Sequence, residues 1–224
     1  MRIRLSERMQ TRSDMVIPGA AAADIGTDHG YIPAYLLTNG ICPSVILTDI
    51  AEGPLQRARD RFDKYGIEGD FRLGPGLETL KTSEVSTVII AGMGGETIMD
   101  ILGKDLNKSY SYKKFILQPR TFAGELRVWL SENGFKFIDY ALCRERKLIN
   151  EVMAVEPGDN GVKEDLLFSR FLLLKGDPLL NEYLDKMIRI KEEVLRQLEN
   201  SKDNNFELTE RFKKEKEYLE SIRQ

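Results

Sequence analysis

Short apolar runs alternate with helix-like stretches over the first two thirds of the chain. The runs lie at 20–25, 45–50, 85–91 and 115–117, with a weaker one at 71–73. Each run is followed by polar or glycine-bearing residues and then by helical spacing, which is clearest at Leu55–Tyr65 with Pro54 in the first turn. Strands that alternate with helices predict βαβ units and a mainly parallel sheet. The uninterrupted apolar run Thr87–Ala91 is typical of a strand covered on both faces.

A different pattern follows this alternation. Two β-like runs, Phe135–Leu142 and Ile149–Glu156, are separated by the basic segment Cys143–Leu148. They predict a hairpin-like pair of strands at the edge of the sheet. The cluster of turn-forming residues at Pro157–Gly161 then predicts a boundary between two parts of the chain.

Helical spacing dominates the remainder of the sequence. A short apolar helix is predicted at Leu166–Leu174, ended by Gly176. Apolar residues recur at three- and four-residue spacing over 180–198, and a turn at 200–205 leads to a last helix. This pattern predicts an antiparallel helical hairpin.

These patterns divide the 224 residues into an α/β domain at 1–157 and a C-terminal domain at 162–224 that contains the α-helical hairpin. A content of 42% hydrophobic and 31% charged residues is ordinary for a globular protein. No run approaches the roughly 18 apolar residues of a membrane span, and the N-terminus lacks the apolar centre of a signal peptide. We therefore expect a cytoplasmic protein. Two distant cysteines and one histidine do not supply four clustered zinc ligands, so no metal is expected.

Glycines and acids follow the first predicted strand, at Asp24, Gly26, Asp28 and Gly30. Glycines let a ligand approach the backbone closely, and ligands of open α/β sheets lie beyond the carboxyl ends of the strands. The acids would repel a dinucleotide diphosphate but attract the sulfonium and ammonium groups of S-adenosylmethionine. Asp49 ends the second strand, where a carboxylate can accept hydrogen bonds from a ribose. These two elements favour S-adenosylmethionine over NAD.

Two further loops fall on the same edge of the predicted sheet. Gly92, Gly94 and Gly95 follow the fourth strand, where they either let the methyl donor meet its acceptor or simply allow the next helix to start. After the fifth strand, Gln118 and Arg120 either contact a base edge and a phosphate or are ordinary exposed loop residues. The sequence alone leaves both alternatives open.

Basic residues recur in two groups, although the formal net charge is −3. Arg4, Arg8 and Arg12 are spaced by four residues, so a helix would gather them into one basic stripe. The second group consists of Arg120, Arg127, Arg144, Arg146 and Lys147. Each group is either a nucleic-acid contact or a solvated face, and charge alone does not decide between them.

Several of these motifs occur together in a known family. They are Met9 with Pro18–Gly19, Ala23–Pro33, Gly53–Pro54, Ala91–Gly95 and Leu117–Pro119. In this combination the chain resembles the bacterial TrmK family of S-adenosylmethionine-dependent tRNA methyltransferases, which modify N1 of adenine 22. The resemblance runs to about Glu156, and the helical tail fits the family's coiled-coil-like C-terminal domain. The chain departs from the family at Pro75, where relatives have an aspartate expected to contact the cofactor adenine, and at Asn150, where relatives have a tyrosine.

The resemblance implies a Rossmann-like class I methyltransferase domain that binds S-adenosylmethionine and tRNA. Adenine N1 attacks through an in-plane lone pair, so positioning is expected to provide most of the catalysis. An acid near N1 would stabilise the cationic product, and Asp28 is the first candidate. Tyr31 either stacks on the base or packs against the first helix. We expect a monomer, although the apolar stripe of the tail is equally able to pair between chains.

The resemblance and the motifs together define three sets of predicted site residues. The predicted catalytic residues are Asp28, Tyr31, Met93 and Gln118. The predicted cofactor-binding residues are Asp24, Gly26, Thr27, His29, Gly30, Asp49, Ile50, Gly74, Pro75, Gly76, Ala91 and Gly92. The predicted RNA-binding residues are Arg4, Arg8, Arg12 and Arg120.

Two other functions stay open on the sequence. The first is an S-adenosylmethionine-dependent methyltransferase of a small molecule or a protein, which predicts a lid over an apolar pocket. The second is a non-catalytic cofactor- or RNA-binding homologue, which Pro75 keeps open because it lacks a side-chain acceptor for the adenine.

Overall fold

The computed structural model describes residues 3–159, 167–200 and 206–223. The strands of its first part are β1 Ala22–Ile25, β2 Val45–Asp49, β3 Asp70–Leu73, β4 Thr87–Met93, β5 Lys114–Pro119, β6 Phe135–Glu145 and β7 Leu148–Pro157. The α-helices between them are α1 Glu7–Asp14, α2 Tyr31–Thr38, α3 Glu52–Tyr65, α4 Gly95–Gly103, α5 Leu106–Ser109 and α6 Ala123–Glu132. A short 3-10 helix follows β3 at Gly76–Thr79.

The strands form one sheet in the order β3-β2-β1-β4-β5-β7-β6. Neighbouring strands from β3 to β5 are parallel, whereas β7 is antiparallel to both β5 and β6. The chain adds β2 and β3 on one side of β1 and then crosses to β4 on the other side. The carboxyl ends of β1 and β4 therefore flank the point where the strand order reverses, which is where α/β sheets bind ligands. The predicted α/β fold with a mainly parallel sheet is confirmed.

The central strands are continuous apolar runs because both faces of the sheet are buried there. All four residues of β1 and the first four of β4 are buried, since helices cover both faces of the sheet. Strand β4 extends beyond its predicted end at Ala91. The ladder with β5 continues through a register shift to Met93, which pairs with Pro119. The first residues of the predicted glycine loop are therefore part of the sheet.

The predicted hairpin is confirmed, with one change in its position. Of the two hairpin strands, only β6 lies at an edge of the sheet, because β7 lies between β5 and β6. Both strands are longer than predicted, since Cys143 pairs with Asn150 and Glu145 pairs with Leu148. The basic segment Cys143–Leu148 is thus mostly strand, and its turn is tightened by a positive φ of 56° at Arg146.

A second compact unit begins at Leu167. Its helices are α7 Arg170–Lys175, α8 Leu180–Glu199 and α9 Phe206–Ile222. Ion pairs show that α8 and α9 are antiparallel: Lys191 binds Glu215 of α9 at 2.5 Å, and Asp185 binds Arg223, the residue after α9, at 2.9 Å. The predicted antiparallel helical hairpin is confirmed.

The ends of two predicted elements differ from the structure or lie outside it. Helix α7 starts at Arg170 rather than at Leu166, because the Ser169 hydroxyl accepts a hydrogen bond from the Phe171 amide and caps the first turn. Leu166 itself lies outside the described residues. The predicted turn at 200–205 is described only at its first residue, and the boundary at Pro157–Gly161 only as far as Asp159.

Candidate active site

A pocket of about 220 Å³ lies at the carboxyl ends of β1 and β4. The turn after β1, the end of β4, the end of β5 and helix α1 all contribute to it. The predicted site residues that line it are Arg8, Arg12, Asp24, Gly26, Thr27, Asp28, His29, Tyr31, Ala91, Gly92 and Arg120. The fold therefore brings most of the predicted residues together at the point where the strand order reverses.

Positive φ angles shape the turn after β1. Gly26 has φ of +71°, and a Cβ there would lie 2.3 Å from the terminal methyl of Met93. Gly30 has φ of +64°, and a Cβ there would meet the Ala58 side chain of α3 at 3.0 Å. Between them Asp28 has φ of +49°, which is uncommon for a residue with a side chain. Close packing on both sides thus explains the two glycines.

Asp24 lies at the bottom of the pocket with 7% of its surface exposed. The Thr27 hydroxyl donates a hydrogen bond to its carboxylate at 2.7 Å. Burial raises the pKa of Asp24 above its ordinary value, while the Thr27 hydrogen bond and the charge of Arg12 act in the opposite direction. A ligand cation would therefore stabilise the charged form of this acid.

Asp28 is the exposed acid of the same turn, with 59% of its side chain accessible. Arg57 of α3 donates a hydrogen bond from Nη2 to Asp28 Oδ1 at 2.6 Å. The imidazole Nε2 of His29 lies 3.7 Å from the other carboxylate oxygen. The structure therefore gives Asp28 a cationic partner that the sequence motif did not indicate.

Tyr31 starts α2 and lies under a second arginine of α3. The guanidinium carbon of Arg61 is 3.4 Å from the centroid of the Tyr31 ring, a close cation–π contact. The same side chain donates from Nε to the His29 carbonyl at 2.7 Å. Arg61 therefore covers one face of the ring and ties the turn to α3.

The ends of β2 and β3 lie next to this turn. The Asp49 carboxylate accepts a hydrogen bond from the Ala51 amide at 3.1 Å, and the Asp49 carbonyl accepts one from Gly74 at 2.9 Å. Ile50 is 73% exposed. Pro75 and Gly76 do not line the pocket at β1 and β4, because they face a neighbouring groove of about 520 Å³ beside α4.

The glycines after β4 have different roles. Gly92 has φ of +78° and lines the pocket. Gly95 instead opens α4, and a Cβ on it would lie 2.4 Å from the carbonyl oxygen of Phe122. Of the two alternatives left open by the sequence, the structure favours helix entry and packing for Gly95. The terminal methyl of Met93 lies next to Gly26, but Met93 is not among the residues that line the pocket.

Gln118 is fully buried at the end of β5, so its interpretation as an exposed loop residue is wrong. Its Oε1 accepts a hydrogen bond from Arg8 at 3.1 Å, and its Nε2 donates to the Pro119 carbonyl at 2.9 Å. The Arg8 Nε lies 3.1 Å from Glu145 Oε2. Arg8 thereby joins α1 to β5 and β6, and Gln118 does not line the pocket.

The predicted basic stripe on α1 is wrong. The helix begins at Glu7 and is capped by Ser6, so Arg4 precedes it. Arg12 is only 6% exposed, and burial lowers its pKa to about 10. The four-residue spacing of Arg8 and Arg12 instead directs both side chains into the pocket.

The second basic group does not lie on one exposed face, because Arg127 is buried whereas Arg120, Arg146 and Lys147 are exposed. Arg127 is 1% exposed, and its Nη1 donates to the Tyr140 hydroxyl at 2.8 Å and to Glu151 at 2.5 Å. The Tyr140 hydroxyl also donates to Glu151. This buried network links α6 to β6 and β7. Arg120, in contrast, is exposed at the pocket.

Sequence reasoning missed Arg57, Arg61 and the buried network of Arg127. Arg57 and Arg61 are four residues apart on α3, so they lie on one helical face. That spacing was available in the sequence, but nothing in it indicated that this face meets the turn after β1. Cys42 and Cys143 are buried and unpaired, and burial raises the pKa of each thiol to about 11.

Within residues 3–159, 167–200 and 206–223, no group of three or more His, Cys, Asp or Glu side chains is arranged to hold a metal ion. In the same part of the chain, no helix has the length and apolar character needed to span a bilayer.

Comparison with known proteins identifies the family. A family described as a methyltransferase domain matches residues 5–153. The tRNA (adenine(22)-N(1))-methyltransferase of Bacillus subtilis is 34% identical over 182 residues, covering 80% of this chain and 76% of that protein. The crystal structure of the B. subtilis m1A22 tRNA methyltransferase TrmK has a TM-score of 0.88 at 28% identity, with 100% of both chains covered. M. capricolum TrmK in complex with S-adenosylhomocysteine has a TM-score of 0.81 at 26% identity, covering 98% of this chain and 99% of that one. The chain therefore belongs to the TrmK family of tRNA (adenine-22 N1)-methyltransferases.

Proposed function

We propose that this protein transfers the methyl group of S-adenosylmethionine to N1 of adenine 22 in tRNA. The observation that carries the proposal is the turn after β1. It places the buried acid Asp24 and the exposed acid Asp28 in one pocket, where the strand order reverses. The first acid suits a cationic cofactor, and the second suits a product base that becomes cationic.

The acids and glycines of the pocket suit S-adenosylmethionine. Asp24 would face the cationic part of the cofactor, and Gly26 and Gly92 leave the backbone accessible because they carry no Cβ. Asp49 would hold the ribose, with Ile50 beside the adenine. When bound, the cofactor supplies an electrophilic methyl group. Pro75 has no side-chain acceptor for the adenine, where the family resemblance implies an aspartate, and we expect weaker adenine recognition rather than a different reaction.

The chain's own residues position the acceptor base. N1 lies on the Watson–Crick edge, so the target adenine must be unpaired or extruded before it enters the pocket. Tyr31 has one ring face covered by Arg61, so a base would stack on the opposite face. Asp28 would accept a hydrogen bond from the N6 amino group and stabilise the positive charge on the methylated ring. For this Asp28 must loosen its contact with Arg57.

The decisive test is incubation of the full chain with unmodified tRNA and isotopically labelled S-adenosylmethionine, followed by nucleoside mass analysis. The expected product is 1-methyladenosine at position 22. A tRNA with guanine at that position is the matched control and should stay unmodified. Methylation of a protein or small molecule without tRNA methylation would overturn the proposal.

Steep weakening of binding with rising salt is expected for tRNA and not for a small molecule.

Replacing Arg61 with glutamine is expected to lower kcat/KM for tRNA by about 3- to 10-fold, because the Tyr31 ring loses its cation–π partner and the turn loses one hydrogen bond. Arg61→Lys keeps the charge but not the planar stack, so it should recover only part of the loss. The control is Arg59→Gln on the same helix, where the side chain pairs with Glu52. If Arg59→Gln and Arg61→Gln have equal kcat/KM for tRNA, Arg61 does not position Tyr31 for the reaction.

The domain division at 1–157 and 162–224 stays a prediction, and we propose that the helical part grips the body of the tRNA. A chain ended at Gly158 should still bind S-adenosylmethionine but should bind tRNA at least about 10-fold more weakly, a loss of roughly 1.4 kcal/mol. Calorimetry with the cofactor verifies that the shortened chain is folded. Undiminished tRNA affinity in a folded, shortened chain would show that this unit is not a tRNA contact.

A further inference from the structure

The loop between β5 and α6 presents a cation and an aromatic ring beside the pocket. Arg120 is exposed and lines the pocket, and its side chain has no hydrogen-bond or ion-pair partner within the described part of the chain. Phe122 follows two residues later and is 47% exposed. A single exposed aromatic is not unusual in itself, so the backbone at Phe122 is the more informative feature.

Phe122 has φ of 55° and ψ of 39°, in the left-handed region. This conformation costs free energy for a residue with a bulky side chain. Such strained residues cluster at functional sites, where the surrounding structure enforces them. Asp28, the exposed acid of the pocket, shares this property with a φ of 49°. Both residues follow strands at the same edge of the sheet.

Neighbouring elements hold the loop in this conformation. The Thr121 carbonyl accepts a hydrogen bond from Gly95 at 2.8 Å, and the Phe122 carbonyl accepts one from Leu126 at 3.0 Å. Gly95 permits the contact, since a Cβ there would lie 2.4 Å from the Phe122 carbonyl oxygen. The buried Arg127 anchors α6 through Tyr140 and Glu151. The ring is therefore presented from a rigid support.

We propose that Arg120 and Phe122 form a binding surface for the nucleotide that flanks the target adenine, with Phe122 stacked on its base and Arg120 paired with a phosphate. Extrusion of the target leaves its neighbour unstacked on one side. Unpaired RNA is recognised by aromatic rings that stack on splayed bases together with cationic side chains on the backbone. The inference rests on the proposed tRNA substrate. It adds a tRNA contact by Phe122, which does not line the pocket.

The test uses the full chain with Phe122→Gly, Phe122→Leu and Phe122→Trp. Glycine removes the ring and also relieves the positive φ, so its melting temperature should not fall. Because an aromatic–base stack is worth about 5- to 150-fold in affinity, Phe122→Gly and Phe122→Leu should both weaken tRNA binding within that range. Phe122→Trp should keep near-normal affinity, since it retains a stacking ring. The affinity for S-adenosylmethionine, measured by calorimetry, should be unchanged in all three.

Arg120→Gln gives an independent readout. It should reduce the slope of log affinity against log salt by about one, the effect of losing one phosphate contact. If the wild-type chain methylates tRNA and Phe122→Gly binds tRNA with full affinity, the stacking surface is overturned and the proposed function stands. A wild-type chain that binds S-adenosylmethionine but neither binds nor methylates tRNA would overturn both. Equal affinity of Phe122→Leu and wild type would show that the ring plays no stacking role.

Discussion

Replacing Asp28 with alanine or asparagine is expected to lower kcat for tRNA methylation by about 100- to 1,000-fold, the usual loss when a preorganised group facing developing charge is removed. The exposed carboxylate lines the pocket beside Tyr31 and is held by Arg57. Neither substitution removes a buried contact, since 59% of the side chain is accessible, so the fold should be retained. Turnover is measured with labelled S-adenosylmethionine and unmodified tRNA.

Two variants separate the chemistry of Asp28 from a general loss of charge. Asp60→Asn removes another carboxylate, on α3, where Asp60 accepts a hydrogen bond from Gln56 at 2.9 Å, and it should be neutral. Arg57→Gln frees the Asp28 carboxylate and should reduce kcat less than Asp28→Asn does. Wild-type kcat in Asp28→Ala would end the assignment of a catalytic role to this acid.

Replacing Arg127 with methionine is expected to destabilise the protein by about 3–5 kcal/mol, since it removes one partner of a buried salt bridge. Glu151 has only 11% of its side chain exposed and accepts hydrogen bonds from both Arg127 and Tyr140. For a chain of this size the loss corresponds to a fall in melting temperature of about 6–20 °C. Calorimetric melting of the full chain measures it.

The matched control is the double variant Arg127→Met with Glu151→Leu. Removing both charges takes the buried carboxylate away together with its arginine, so the double variant should be more stable than Arg127→Met alone. If the two melt at the same temperature, the loss comes from packing around Arg127 and not from the stranded charge of Glu151.

The sequence predicted the fold well where the signal is local. Continuous apolar strands, the glycine turn after β1 and the three- and four-residue spacing over 180–198 each depend on residues close together in the chain. Predictions were less successful where an element's end depends on a partner. Pairing between Met93 and Pro119 extends β4, and pairing between Glu145 and Leu148 shortens the predicted basic loop to a tight turn.

The four-residue repeat of Arg4, Arg8 and Arg12 illustrates the same limit for side chains. Sequence spacing correctly puts Arg8 and Arg12 on one face of α1, but it does not say what that face packs against. In the folded chain the face meets Gln118 and Asp24, so two arginines that resemble a surface stripe are pocket residues. Gln118, likewise, is buried and accepts a hydrogen bond from Arg8 of α1, which its sequence neighbours do not indicate.

By itself, the sequence determined the alternation of strands and helices, the family, and the acidic glycine turn that favours a cationic cofactor. Each of these features depends on residues that are close together in the chain. Only the tertiary structure decided which groups act together in the pocket. Arg57 reaches Asp28, and Arg61 lies on Tyr31, across about 30 residues of chain. Such contacts depend on how α3 packs against the turn after β1, and helical periodicity specifies a face of α3 but not its neighbour.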